Sequence, residues 1–125
     1  LLSVAACPTS LPAGRYMSVL PAMRGDWFAL SAKVDREGAI VPAGDAALIS
    51  GDNPADAAAA EGAAILGPGQ AIDSRPHARG PALLPDRILA GEPVDIETWE
   101  PDYGRLAEAQ VRWEAAHGRP LGAGA

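Results

Sequence analysis

Glycine and proline interrupt this chain so often that no apolar run between Arg24 and Ile96 goes far before meeting a residue that turns or breaks the backbone. Runs that short suit strands, whereas helices of ordinary length need longer uninterrupted stretches. The 125 residues include 14 glycines and 12 prolines, and although 48% are hydrophobic, much of that is alanine. The core must therefore be small. The expected fold class is mainly β, a small antiparallel sheet or partial barrel with a short Ala-rich helix and a C-terminal helix. Residues 1–12 read as the end of a membrane anchor plus a linker, 13–96 as the β-rich domain, and 97–125 as the C-terminal helix and tail.

Within the central segment, Arg24-Gly25-Asp26 signals a turn, and Trp27–Val34 alternates well enough for a strand. Asp35–Gly38 forms the next turn, Ala39–Val41 extends again, and Ala46–Ser50 is a short apolar strand ended by Gly51. Asn53 is a good N-cap, Pro54 suits the first helical position and Asp56 favours the helix dipole, so Ala57–Ala60 continue a helix that Gly62 can end. Ala63–Leu66 reads as a strand, Asp73–Pro85 as an ordered loop, and Arg87–Ala90 and Val94–Ile96 as the last strands. Pro101 opens a helix to about His117, with Tyr103, Leu106, Gln110 and Trp113 on one face. That stripe predicts docking on the sheet or on a partner subunit.

Net charge is −6 with no run of Lys or Arg, so nucleic-acid binding is not expected. The single cysteine, Cys7, excludes an intrachain disulfide, and His77 and His117 lack ligand spacing, so no metal and no cofactor is implied. The uncharged lead-in Leu1–Cys7 is far shorter than the roughly 20 residues that span a bilayer. It reads either as the end of a membrane anchor, with Cys7 then a candidate for lipidation, or as a frayed terminus.

Ser10-Leu11-Pro12-Ala13-Gly14-Arg15-Tyr16 places a serine in a stiff turn, since Pro8 and Pro12 fix φ on either side and Gly14 permits a bend. After it come Arg24-Gly25-Asp26, Val41-Pro42-Ala43-Gly44, Gly51-Asp52-Asn53, Asp73-Ser74-Arg75, Gly80-Pro81, and Ile88 with Gly91. This order, over residues 4 to about 96, resembles the type I signal peptidase family, most closely its conjugative-transfer branch. The resemblance implies a membrane-associated serine endopeptidase that processes exported or pilin-like precursor peptides through a Ser–Lys dyad. It would sit in the inner membrane, facing the periplasm, if the anchor is real.

On that resemblance Ser10 is the nucleophile, with Ser18, followed by Pro21 and Gly25-Asp26, as a rival. The family's Lys-Arg-x-x-x-x-Pro-Gly-Asp segment has no counterpart, which leaves Lys33, the only lysine, as the base. A lysine base must be neutral and hence desolvated; Ala32 and Val34 favour that and Asp35 opposes it. His77 is the fallback base, and Asp73 and Arg75 are supporting residues. Two other classes fit the chain: a catalytically inactive relative that binds peptides or partner subunits, and an unrelated small β-rich structural or assembly protein, such as a capsid-decorating factor.

Overall fold

Tyr16, Met17, Ser18 and Val19 are buried one after another, so the strand they belong to has no solvent face. In a computed structural model that describes residues 1–51, 53–101 and 106–120, this strand, β1 (Gly14–Pro21), lies at the centre of a six-stranded sheet. The chain divides into two units, Leu1–Glu92 and Pro93–Ala125.

In the first unit β1 pairs antiparallel with β2 (Trp27–Val34), in a register that sets Gly14 opposite Val34 and Pro21 opposite Trp27. The far side of β2 is covered by two short strands, β3 (Ile40–Pro42) and β4 (Ala47–Ile49). Between them the chain bulges outward, anchored by the Ala43 N–H, which donates to the Ser31 carbonyl at 2.8 Å. The other side of β1 pairs in parallel with β5 (Ala64–Gly67), and β5 pairs in parallel with β6 (Ile72–Asp73). Parallel pairing needs a crossover. Here it includes α2 (Pro54–Ala60), whose start is capped by Asn53 Oδ1 accepting from the Ala55 N–H at 3.1 Å. Gly62 follows at φ 64°, a left-handed conformation that terminates the helix without strain.

The two faces of the sheet are covered by different helices. Tyr16, Ala32, Val34 and Leu66 form one cluster with Val4 of α1 (Leu2–Ala5), and Leu11, Ile40 and Ile72 pack against it. Met17, Val19, Ala29 and Ile65 form the other with Ala58 of α2. β5 approaches β1 so closely that a Cβ at Gly67 would lie 2.3 Å from the Val19 carbonyl oxygen.

The expected antiparallel sheet or partial barrel is therefore incorrect. The described residues form a mixed α/β fold with four α-helices and an open sheet of mixed direction. Covering helices make closure unnecessary, and the crossover through α2 delivers β5 parallel to β1. The segments expected as final strands also differ. Pro85 opens α3 (Pro85–Leu89), and Asp95–Trp99 forms a turn.

The N-terminal lead-in corrects the membrane expectation. Ser3, Val4 and Ala6 are buried, so the apolar character that suggested an anchor is used in the protein's own core. Among the described residues no helix is long and apolar enough to cross a membrane.

In the second unit α4 (Glu108–His117) is shorter than expected and buries no residue. Tyr103, part of the anticipated stripe, lies outside the described residues, and Leu106 precedes the helix with about half of its surface exposed. Trp113 instead stacks on His117 with ring centroids 4.2 Å apart, and Arg119 lies over the same indole at 5.6 Å. Among the described residues the expected docking stripe does not form: the apolar side chains of α4 do not gather on one face.

Candidate functional site

The turn around Ser10 is held from both ends, but by groups that serve folding. Leu11 packs on the α1 face of the sheet, and the Tyr16 hydroxyl donates to the Pro12 carbonyl at 2.7 Å. The aromatic ring is itself buried, so the segment links α1 to β1 through a fixed bend. Ser10 is left on its exposed side.

Lys33 lies on β2 between buried Ala32 and Val34, so alternation turns it to the opposite face, where it is exposed. Its cross-strand neighbours are Arg15 and Val41. A solvated lysine on the face away from the nucleophile's packed neighbour does not supply the desolvated amine that a Ser–Lys dyad needs. Among the described residues the expected dyad is not assembled, so the Ser10–Lys33 route to precursor-peptide cleavage is not supported. Ser18 fares no better: it is buried within β1 between Leu30 on β2 and Leu66 on β5, with no base in either position.

The Asp73-Ser74-Arg75 segment has a structural role. Asp73 Oδ1 accepts from the Gly69 N–H at 2.9 Å and fixes the turn joining β5 to β6. The buried Ser74 hydroxyl donates to the Ser3 carbonyl at 2.6 Å, tying α1 to the end of β6. Arg75 is exposed. His77 is exposed too, with Nδ1 accepting from the Arg79 N–H at 3.1 Å, so this nitrogen is engaged in a local turn. Arg79 reaches back to the Ala6 carbonyl at 3.1 Å. Ser74 and Arg79 together satisfy two carbonyls of the N-terminal segment, a role no motif announced.

Reasoning from sequence also missed a hollow of about 150 Å³ on the α2 face of the sheet, where the β3–β4 bulge stands away from β2. Met17, Ala29 and Ile49 supply apolar walls, and Ser31, Asp45 and Glu61 supply its polar groups. The Ser31 hydroxyl donates to Glu61 Oε2 at 2.5 Å, linking β2 to the end of α2. Carboxylates are weak bases for an alcohol, so this bond positions the two elements and does not generate a nucleophile. The hollow is smaller than the roughly 300 Å³ at which small-molecule sites begin. No signal pointed to it, because Ser31 and Glu61 stand 30 residues apart outside any motif. Among the described residues no group of three or more His, Cys, Asp or Glu side chains converges.

Comparison with protein-family models, curated proteins and solved structures finds no match for this chain.

Proposed function

We propose that the chain is a small structural or assembly protein that acts by holding another protein, without chemistry of its own. One observation carries this reading: the distribution of exposed large apolar side chains. Before residue 80 the described ones are Leu2, Met23 and Val41; after it come Leu83, Ile88, Leu89, Val94, Ile96, Trp99, Leu106 and Val111. Isolated exposed apolar residues are ordinary, but a long succession along one stretch of chain is the mark of an interaction segment. The polar residues that resembled catalytic groups support the same reading, since Asp73, Ser74 and Tyr16 are engaged in holding turns and α1 in place.

Site-specific photo-crosslinking in cells that make the protein tests the proposal. A probe at Leu89 is expected to yield a discrete protein adduct, and a probe at Val41, which is also exposed but isolated along the chain, none. Equal labelling from both positions, or adducts from neither, would overturn it.

A further inference from the structure

We infer that Val94–Trp99 is the docking element, and that its partner is a protein groove with an apolar floor and a rim of lysine or arginine side chains. The inference deepens the assembly reading above and rests on it. Its starting point is a local fold in the second unit. The Trp99 N–H donates to the Asp95 carbonyl at 2.9 Å, closing one helical turn, and the Thr98 N–H donates to the same oxygen at 3.2 Å. Asp95 Oδ1 accepts from the Glu97 N–H at 3.0 Å and caps the turn from its own side chain.

This capped turn holds apolar side chains out in solvent. Ile96 is 86% exposed, Trp99 59% and Val94 64%. Ile96 and Trp99 are three residues apart, the spacing that puts two side chains on one side of a helical turn. A Trp beside a branched aliphatic is the composition of an interface anchor, and the closed turn lowers the entropy lost on docking.

Charge selects the partner. Asp95, Glu97 and Glu100 alternate with these apolar residues along the chain, and no Lys or Arg occurs from Gly91 to Pro101. A purely apolar groove would leave those carboxylates without compensation, and an acidic rim would repel them; a basic rim complements them. The same charges oppose attachment to an anionic membrane surface.

The test uses the full chain with Trp27→Phe and Trp113→Phe, so that Trp99 alone reports by fluorescence. The probe is a 14-residue amphipathic Leu/Lys peptide, which presents an apolar face flanked by ammonium groups; a Leu/Glu peptide of the same pattern is the control. The expected result is a saturable blue shift of Trp99 emission with the Leu/Lys peptide only. Ile96→Ser, which leaves every charge in place, should weaken that binding about tenfold, the scale of one anchor side chain. Asp95→Ala should weaken it as well, and Asp95→Asn, which still caps, should do so less. Equal binding of the two peptides, or no effect of Ile96→Ser, would overturn the inference, the latter because attraction to an acidic protein alone would then explain the binding. A blue shift on concentrating the protein without peptide would assign the segment to a second copy of this chain and equally overturn it. If these outcomes coincide with adduct formation from Leu89, the assembly reading stands and only the docking element is wrong.

Discussion

Leu66 and Ile96 are aliphatic side chains of similar size with opposite fates: Leu66 is fully buried at 0% exposure, whereas Ile96 is 86% exposed. Around Leu66 the sheet is closed off on each face by a helix, and polar side chains are used to fasten those helices. Around Ile96 the chain turns on its own hydrogen bonds and leaves its apolar side chains exposed. The contrast teaches that two different economies operate along one polypeptide. Residues up to about Asp73 spend their apolar surface on stability, and those beyond Gly80 hold much of theirs in reserve.

The largest effect is expected where this contrast is attacked directly. Leu66→Ala should cost about 3 kcal/mol in chemical denaturation, the sum of lost transfer energy and a cavity between β1 and α1 that helices on both faces keep from collapsing. Ile96→Ala should change stability by no more than about 0.5 kcal/mol, since it removes surface from solvent-exposed chain. Comparable losses at both positions would show that Ile96 is buried in solution and would erase the distinction.

A somewhat smaller loss, about 2 kcal/mol, is expected for Gly67→Ala. The added methyl meets the Val19 carbonyl oxygen, which is backbone in a central strand and cannot swing aside. Relief would require β5 to move off β1, so thermal unfolding should begin earlier and less cooperatively. Gly118→Ala gives the contrasting case within α4: nothing lies near its Cβ position, and its φ of 63° brings only local backbone strain of about 1 kcal/mol at a helix end.

Ser74→Ala sharpens the comparison at the seam between α1 and the sheet. The variant leaves the Ser3 carbonyl buried without its donor, at a cost of about 1–2 kcal/mol. Hydrogen exchange should localise the damage: the Ala5 and Ala6 amides, which donate to Leu1 and Leu2, should lose protection before those of β1. Unchanged protection there would mean that α1 is held by Val4 packing alone.

How far these two regions could be read from sequence follows from the same physics. β2, β3 and β4 fall close to the alternating runs, and α2 carries its cap, proline and terminating glycine within a few residues, because such signals are local. β1 escaped notice for the opposite reason. Buried on both faces, Tyr16 to Val19 show no alternation, and Gly14 at its start reads as part of a turn. Its parallel partner β5 is chosen by helix packing, which no short motif encodes. The Ser10–Tyr16 turn was legible as rigid, but its rigidity comes from Tyr16 anchoring Pro12 and serves to route the chain. The Ser31–Glu61 contact was illegible because it exists only once α2 crosses the sheet. Beyond Gly80 the expected strands at Arg87–Ala90 and Val94–Ile96 failed, since Pro85 and Asp95 begin helical turns there.

The smallest effect lies in α4, where it measures how far the second unit depends on its own local contacts. Glu108 and Arg112 stand one turn apart, with the guanidinium 2.7 Å from the carboxylate and both side chains more than half exposed. Water screens such a pair, and ordering two long side chains offsets most of the attraction, so the net contribution is about 0.3–0.5 kcal/mol. A double-mutant cycle with Glu108→Gln and Arg112→Gln should return that coupling at low salt, measured as helical signal of the full chain against temperature. In about 1 M salt, where charges are screened beyond roughly 3 Å, the coupling should nearly vanish. The Trp113–His117 stack should not respond to salt in the same way as long as the histidine is neutral, because ring contact does not rest on net charge. A coupling well above 1 kcal/mol that survives salt would require the pair to be desolvated by something packed over it. The helix would then have a covered face after all, and the division between a buried first region and a displayed second one would have to be drawn elsewhere.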